Sequence, residues 1–139
     1  ELGHIPFLME ESQVLTLEEY IRIHVFGEPD FDAYRRNSLE DLQQKLNHSS
    51  EARDRFAQAV GCTINTVANM FNPGLIILSG KLSVLAKACL DNIYSYQFSA
   101  LPYISDSYKL QISEQGICAP AIGAAMYAFY ARYNIDVEF

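Results

Sequence analysis

The chain has 139 residues, half of them apolar and 12% aromatic, with 10 Lys and Arg against 17 Asp and Glu and a net charge of −7. This length and composition predict one folded domain with a sizeable core and exclude disorder over most of the chain. An acidic surface lacks the clustered cations that bind nucleic-acid phosphates, so we expect no direct nucleic-acid contact from this segment. The apolar runs are too short to span a membrane, and we expect a cytoplasmic protein.

The first predicted helix follows a capping box. The segment before Thr16 mixes apolar residues with glycine, proline and polar positions, which indicates a loop or a strand remnant. Thr16 and Glu19 can satisfy each other's backbone N–H groups, and a short helix is predicted over about 17–25. The polar stretch from Gly27 to Asn37 is interpreted as a connection. Ser38 then caps a second helix, whose apolar face carries Leu39, Leu42 and Leu46.

The strongest helical signal lies in the middle of the chain. Ser49 or Ser50 caps this helix, which is predicted to run to about Phe71. Asn72-Pro73-Gly74 ends it, because proline disfavours helical geometry in the preceding residue and Gly74 can take a positive φ. Its apolar positions recur at helical spacings and are Phe56, Val60, Ile64, Val67, Ala68 and Phe71.

A short apolar run follows the long helix. Leu75-Ile76-Ile77-Leu78 is too short for a helix, and it predicts a strand covered on both faces, as in a parallel sheet. Ser79-Gly80-Lys81 indicates a turn. A second long helix is predicted from Ser83 to about Ala100, and Pro102 terminates it.

Two further elements are predicted near the end of the chain. Residues 108–113 alternate between apolar and polar as a half-buried edge strand does. Pro120, at a first helical position, begins a last helix over about 121–133. Its small residues favour close approach to a neighbouring element and are Gly123, Ala124, Ala125 and Ala128.

The order of these elements predicts an α/β fold with few strands and several helices. Such a sheet is too thin to cover both helix layers well, and a missing partner lobe is the simplest explanation. The chain also begins at Glu1 without a methionine. We therefore expect residues 1–139 to form a single domain that belongs to a longer protein.

Four motifs follow one another along the chain. They are Glu1-Leu2-Gly3-His4, Thr16-Leu17-Glu18-Glu19-Tyr20, Asn72-Pro73-Gly74-Leu75-Ile76-Ile77-Leu78-Ser79-Gly80-Lys81-Leu82-Ser83 and Gly123-Ala124-Ala125. Taken in this order, which is more specific than any single motif, they resemble the ROK family of sugar kinases and sugar-responsive transcriptional repressors. The resemblance covers nearly the whole chain and implies the C-terminal lobe of an actin-like ATPase (ribonuclease H-like) fold.

The resemblance also implies three sugar-binding residues. In the family, the acid and the histidine of the first motif and the first acid of the second hydrogen-bond the hydroxyls of a sugar, which assigns Glu1, His4 and Glu18 to that task. Each sugar hydroxyl is both donor and acceptor, and a carboxylate with an imidazole can serve both roles. The alternative is that the two acids are solvated charges, with Glu18 favoured by the helix dipole, and that His4 is an ordinary loop histidine.

The chain departs from the family at the structural zinc site. Many members carry a cysteine-rich loop between the first two motifs, and its cysteines bind zinc together with the histidine. Residues 5–17 here contain no cysteine, so we predict no metal site. The three cysteines, Cys62, Cys89 and Cys118, are expected to be reduced, buried and inert.

A second departure concerns the nucleotide. Kinase members carry a Gly-Gly turn at the position of Ser79-Gly80, so Gly80 is a candidate nucleotide contact or equally a plain turn residue. In the family, the phosphate loop and the catalytic aspartate precede the first motif, so these residues alone are not a complete kinase. We expect no cofactor here, with ATP and Mg²⁺ required only if the parent protein is a kinase.

Three functions remain open from the sequence. The first is the C-terminal part of the sugar-sensing domain of a ROK-type transcriptional regulator, with a sugar or sugar phosphate as effector. The second is the C-terminal lobe of an ATP-dependent ROK sugar kinase. The third is an interaction module, and both family and composition suggest a homo-oligomer. The aromatic residues considered for self-association are Tyr94, Tyr96, Phe98, Tyr103, Tyr127, Phe129, Tyr130 and Tyr133.

Overall fold

The structure is a computed structural model that describes residues 6–10, 13–97 and 108–133. The described residues are mostly helical with few strands, which confirms the predicted α/β class. The strands are β1 (Pro6–Glu10), β2 (Gln13–Thr16), β3 (Leu75–Leu78) and β4 (Lys109–Ile112). The helices are α1 (Leu17–Tyr20), α2 (Phe31–Arg36), α3 (Leu39–His48), α4 (Ser50–Phe71), α5 (Gly80–Lys87), α6 (Leu90–Gln97) and α7 (Ala119–Tyr133).

The beginning of the described chain is a β-hairpin. β1 and β2 pair antiparallel, with Pro6 opposite Thr16 and Glu10 opposite Gln13. The segment interpreted as a loop or a strand remnant is therefore a strand pair. Because β2 ends at Thr16, the residue that caps α1, the hairpin fixes the place where this helix begins.

The predicted capping box is present at the start of α1. The Glu19 N–H donates to the Thr16 hydroxyl at 3.2 Å, and the Thr16 N–H donates to the Glu19 carboxylate at 2.9 Å. These hydrogen bonds, from the Thr16 backbone first and then from its hydroxyl, lower the pKa of Glu19 below its ordinary value. The helix continues as a π-helical turn, Ile21–Val25, so the predicted extent of 17–25 is confirmed.

Helix α2 corrects the interpretation of the polar stretch as a connection. Asp30 caps it by accepting a hydrogen bond from the Asp32 N–H at 2.9 Å. The helix is too short for a repeated apolar pattern, and Tyr34 is its buried residue. Helix α3 follows the prediction, because Ser38 caps it and Leu42 and Leu46 are buried.

Helix α4 is the centre of the core. Ser49 caps it, and Phe56, Val60 and Ile64 are fully buried among the other core residues, as their spacing predicts. Phe71 is exposed, contrary to the prediction. The helix ends at Asn72, whose φ of +44° takes the left-handed geometry that we expected of Gly74.

Strands β3 and β4 form a parallel pair, with Leu75 opposite Lys109 and Leu78 opposite Ile112. Ile76 and Leu78 are buried, but Leu75 is 47% and Ile77 54% exposed. The prediction that β3 is covered on both faces is therefore wrong for the described part of the chain. The reason is that the helices of this part cover only one face of a sheet of two strands.

The helix predicted over 83–100 is two helices, and it begins earlier. Gly80 opens α5 directly after β3, where a turn was expected. At the break, the Cys89 N–H donates to the Ala86 carbonyl at 3.0 Å, a tighter turn than that of an α-helix, and this turn buries Cys89. Residues 98–107, which include Ala100 and Pro102, lie outside the described residues.

Helix α7 confirms the last predicted helix and follows a 3₁₀ turn, Gly116–Cys118. None of its residues is buried. A Cβ placed on Gly123 would meet no atom within 4 Å, so the close approach expected of the small residues does not occur among the described residues. No helix in this part of the chain has the length and apolarity needed to cross a membrane.

The close contact between α4 and α6 implies that a side chain at Gly61 would destabilise the protein. Helix propensity alone favours Gly61→Ala by about 1 kcal/mol. An alanine Cβ there would lie 2.7 Å from the Cβ of Tyr96, so we expect the free energy of unfolding of the protein to fall by about 1–3 kcal/mol in a urea titration. Gly74→Ala is the control, because its Cβ would meet no atom within 4 Å. A raised unfolding midpoint for Gly61→Ala would contradict the close contact.

The capping box should make the stability of the protein depend on pH. Thr16→Ala should cost about 1 kcal/mol near pH 7. Because the folded-state pKa of Glu19 is depressed, this stabilisation is present above the ordinary carboxyl pKa and is lost as the pH falls through the lower, folded-state pKa. Unfolding titrations should therefore show a smaller difference between the two proteins below about pH 4. The part that remains comes from the hydrogen bond between the Glu19 N–H and the Thr16 hydroxyl, which does not depend on ionisation. If the difference in the free energy of unfolding does not change with pH, the ionised Glu19 carboxylate does not contribute to the capping box.

Candidate functional site

Of the three predicted sugar-binding residues, Glu18 is the one that lies within the described part of the chain. It is the second residue of α1, between buried Leu17 and the capping residue Glu19. Its side chain is partly exposed. In the described part of the chain, its carboxylate makes no hydrogen bond or ion pair. Both of its oxygens are therefore available to accept hydrogen bonds from a ligand.

Arg22 lies one helical turn after Glu18 and is only 8% exposed. Its guanidinium donates to the backbone carbonyls of Glu28, at 2.9 Å, and of Pro29. Its Nε atom is buried and has no hydrogen-bond partner among the residues that the structure describes. Lys45 holds the same loop through an ion pair of 2.9 Å with the Glu28 carboxylate. Arg22 thus ties the π-helical turn to the loop before α2 and brings a buried positive charge close to the start of α1.

Tyr34 comes from α2 and packs against the same region. Its ring is buried, with its centroid 6.0 Å from that of Phe26. Burial raises the pKa of Tyr34, and the Glu18 carboxylate raises it further, whereas Arg22 opposes the shift. The phenol therefore stays neutral at physiological pH and can both donate and accept a hydrogen bond. We call Glu18, Arg22 and Tyr34 the Glu18 cluster.

The sequence identified only one member of this cluster. Arg22 stands four residues after Glu18 on one helix, and this spacing is a signal that could have indicated it. Tyr34 could not be found in this way, because the helix that carries it was not predicted. Glu1 and His4 lie outside the described residues, so their convergence with Glu18 stays a prediction.

Gly80 lies at a separate place in the fold. It follows β3 and opens α5 with a φ of +72°, a backbone geometry that favours glycine. A Cβ at this position would meet no atom within 4 Å, so the dihedral angle alone explains the glycine. A plain strand-to-helix turn accounts for this geometry, and a nucleotide contact stays a prediction.

The cysteines differ from one another in exposure. Cys89 is buried as expected, and burial raises the pKa of its thiol to about 11, against a smaller opposing effect of Arg53. Cys62 and Cys118 are exposed, which corrects the expectation of three buried thiols. Cys62 lies on the outward side of α4 and Cys118 on the 3₁₀ turn. The described ranges contain no group of three or more His, Cys, Asp or Glu side chains that could hold a metal ion.

Two open depressions lie elsewhere on the surface. One, of about 350 Å³, lies between the π-helical turn and the start of α4. The other, of about 430 Å³, lies along α3. Neither is lined by Glu18, Arg22 or Tyr34.

No protein-family profile and no curated protein matches the chain. Among solved structures, it is similar to the crystal structure of a ROK family transcriptional regulator, a homolog of the E. coli MLC protein. The TM-score is 0.55 and the sequence identity 25%. The similarity covers 81% of this chain and 34% of that chain, so this chain spans about a third of the regulator it matches.

This similarity is seen in both the backbone and the sequence. The backbone agrees over most of the chain, and the sequence motifs that resemble the ROK family occur in the same chain in order. The finding supports a regulator in general terms and leaves the role of this segment to be proposed. The resemblance to the ROK family that the motifs indicate is thus confirmed by the solved structure of a ROK family transcriptional regulator.

Proposed function

We propose that this chain is the C-terminal part of the sugar-sensing domain of a ROK-family transcriptional regulator, built as a lobe of an actin-like ATPase fold. The observation that carries the proposal is the Glu18 carboxylate. It lies in the motif that resembles the family's sugar-binding segment, on a capped helix, with no hydrogen-bond partner of its own among the described residues. The match to a ROK family regulator supports the same conclusion.

The chemistry of the Glu18 cluster suits a polyhydroxylated ligand. The Glu18 carboxylate accepts hydrogen bonds from sugar hydroxyls, and Glu1 and His4 are proposed to complete the set with a second acceptor and an imidazole. A site that hydrogen-bonds each hydroxyl rejects analogues that lack one, because a polar group of the protein is then left unpaired. A sugar or sugar phosphate is therefore the proposed effector, and no metal or cofactor is required of these residues.

The proposed regulation depends on two lobe arrangements with different affinities for the sugar. A ligand shifts such an equilibrium only by the difference between its affinities for the two states. We do not propose that this acidic segment contacts DNA. DNA binding is assigned to another part of a longer protein. A cytoplasmic homo-oligomer is part of the same proposal.

A ROK sugar kinase is the second candidate, and Gly80 is the observation that favours it. A residue with positive φ between β3 and α5 is what a nucleotide-binding turn requires. In that case the remaining catalytic groups, ATP and Mg²⁺ would act outside the residues described here. The regulator is preferred because the matched structure is a transcriptional regulator and because Ser79 replaces one glycine of the kinase turn.

The role of Glu18 in sugar binding can be tested by comparing it with Glu40. Both are the second residue of a helix that begins with a capping box, so helix-dipole effects on the two are alike. In the full-length protein, Glu18→Gln should weaken sugar binding by at least about tenfold, because it removes a charged acceptor. Isothermal titration with hexoses and N-acetylhexosamines measures this. Glu40→Gln should leave the affinity unchanged.

Two outcomes would count against this assignment. If both variants bind sugar as well as the unsubstituted protein, Glu18 is only a favourable residue for the first turn of a helix. If no sugar in the panel gives heat with the full-length protein, the sugar-sensing function itself fails. Equal unfolding midpoints of the two variants would show that a binding difference does not come from a change in stability.

Turnover of ATP distinguishes a regulator from a kinase. A coupled assay of the full-length protein with ATP, Mg²⁺ and the bound sugar should show no turnover if the protein is a regulator. Gly80→Ala should then cost about 1 kcal/mol of stability through the left-handed φ and leave sugar affinity unchanged. Turnover that Gly80→Ala reduces through a higher KM for ATP would instead establish the kinase.

A further inference from the structure

Tyr34 has a buried ring and a hydroxyl that hydrogen-bonds none of the described residues. The residue is only 8% exposed, yet its phenolic oxygen makes no hydrogen bond in this part of the chain. This oxygen is also not among the unpartnered side-chain atoms that are inaccessible to solvent, in contrast to the Nε atom of Arg22. A buried tyrosine normally directs its hydroxyl to a hydrogen-bond partner. The Tyr34 hydroxyl is therefore an accessible polar group without a partner among the described residues.

Helix α2, which carries Tyr34, is fixed at both ends by hydrogen bonds. Asp30 caps its start, and the Tyr34 N–H donates to the Asp30 carbonyl at 3.0 Å. At its end, the Asn37 side chain donates to the carbonyls of Ala33, at 3.1 Å, and of Tyr34, at 3.3 Å. A helix of six residues is too short to be stable alone. These contacts and the burial of the Tyr34 ring therefore hold the phenol in place.

The segment before α2 is attached to the helix that carries Glu18. The Arg22 guanidinium donates to the carbonyls of Glu28 and Pro29, which immediately precede the cap of α2. Arg22 itself stands four residues after Glu18. The start of α2 is therefore held close to the helical turn that follows Glu18.

Packing and electrostatics both place the Tyr34 phenol near the Glu18 carboxylate. The Tyr34 ring belongs to the same buried cluster as Leu17 and Ile21, which lie just before and one turn after that position of α1. Burial raises the pKa of Tyr34, and the charge of Glu18 raises it further. The effect of a charge falls with distance and with intervening water. One ligand at Glu18 can therefore contact the phenol as well.

A carboxylate alone satisfies only half of what a sugar hydroxyl requires. The ionised Glu18 carboxylate only accepts hydrogen bonds, so it binds the hydrogen atom of a hydroxyl and leaves the lone pairs of the hydroxyl oxygen unpaired. The neutral Tyr34 phenol has an O–H group that can donate to those lone pairs. The two side chains are therefore complementary in their hydrogen bonding to a polyhydroxylated ligand.

We propose that Tyr34 is a further sugar-binding residue, whose hydroxyl donates a hydrogen bond to a hydroxyl oxygen of the sugar bound by Glu18. The proposal rests on the sugar-sensing function proposed above and names a determinant of its specificity. A sugar that lacks this hydroxyl leaves the phenol unpaired once the ligand excludes water, so the site discriminates against it.

Tyr34→Phe removes the hydroxyl and keeps the buried ring. Since this hydroxyl bonds none of the described residues, the full-length variant should unfold at the same urea concentration as the unsubstituted protein. In isothermal titration with hexoses and N-acetylhexosamines, its affinity for the sugar should fall roughly three- to tenfold, as expected for one neutral hydrogen bond. Tyr108→Phe is the matched control, because Tyr108 is a partly buried tyrosine that packs against the core elsewhere. This control should leave the affinity unchanged.

Deoxy sugars identify the contact itself. Each monodeoxy analogue of the bound sugar is titrated into the unsubstituted protein and into Tyr34→Phe. One analogue should lose more affinity with the unsubstituted protein than with the variant, because its missing oxygen is the partner of the phenol. If every analogue weakens binding to both proteins by the same factor, Tyr34 contacts no hydroxyl and the proposal is wrong.

The titrations distinguish failure of this proposal from failure of the sugar-sensing function. If Glu18→Gln weakens sugar binding and Tyr34→Phe does not, the function holds and the assignment of Tyr34 is wrong. If no sugar in the panel binds the unsubstituted protein, both fail. A clearly lower unfolding midpoint for Tyr34→Phe would also overturn the assignment, because the hydroxyl would then have a partner within the protein.

Discussion

The burial of α4 is the constraint on which the other elements depend. This 22-residue helix supplies more fully buried side chains than any other element described, and α6, α3 and the π-helical turn all pack against it. Its contact with α6 is close because position 61 carries no side chain and the Cβ of Tyr96 occupies that space. Removing apolar surface from water is the main favourable contribution to folding, so α6, α3 and the π-helical turn are held in place largely through α4.

The Glu18 cluster follows from this packing through α1. Leu17 and Ile21 are buried in the core, which fixes the rotation of α1, and the capping box fixes its start. Glu18 consequently lies on the partly exposed side of α1, away from buried Leu17 and Ile21. Arg22 is buried on the next turn, and its hydrogen bonds to the loop before α2 bring Tyr34 into the electrostatic range of Glu18.

Elements with a long periodic pattern were predictable from the sequence, and short or tertiary features were not. Helix α4 and the Thr16 cap follow directly from spacing and side-chain chemistry. Helix α2 is too short to show a period, and the break at Cys89 has no glycine or proline to mark it. The sequence pattern could not show that the described helices leave one face of β3 exposed, because an apolar strand has the same pattern whether one or both faces are covered. Of the Glu18 cluster, only Glu18 was predicted from the sequence, through its motif.

The turn after α4 has a consequence for the register of β3. All four residues of this strand are apolar, so hydrophobic alternation does not decide which pair faces inward, and a slip of one residue would exchange the two faces. The left-handed backbone of Asn72 turns the chain at the end of α4, three residues before β3 begins, and so contributes to the direction from which the strand starts. The pair of residues that faces inward is therefore selected by the backbone and packing around the strand rather than by its four aliphatic side chains.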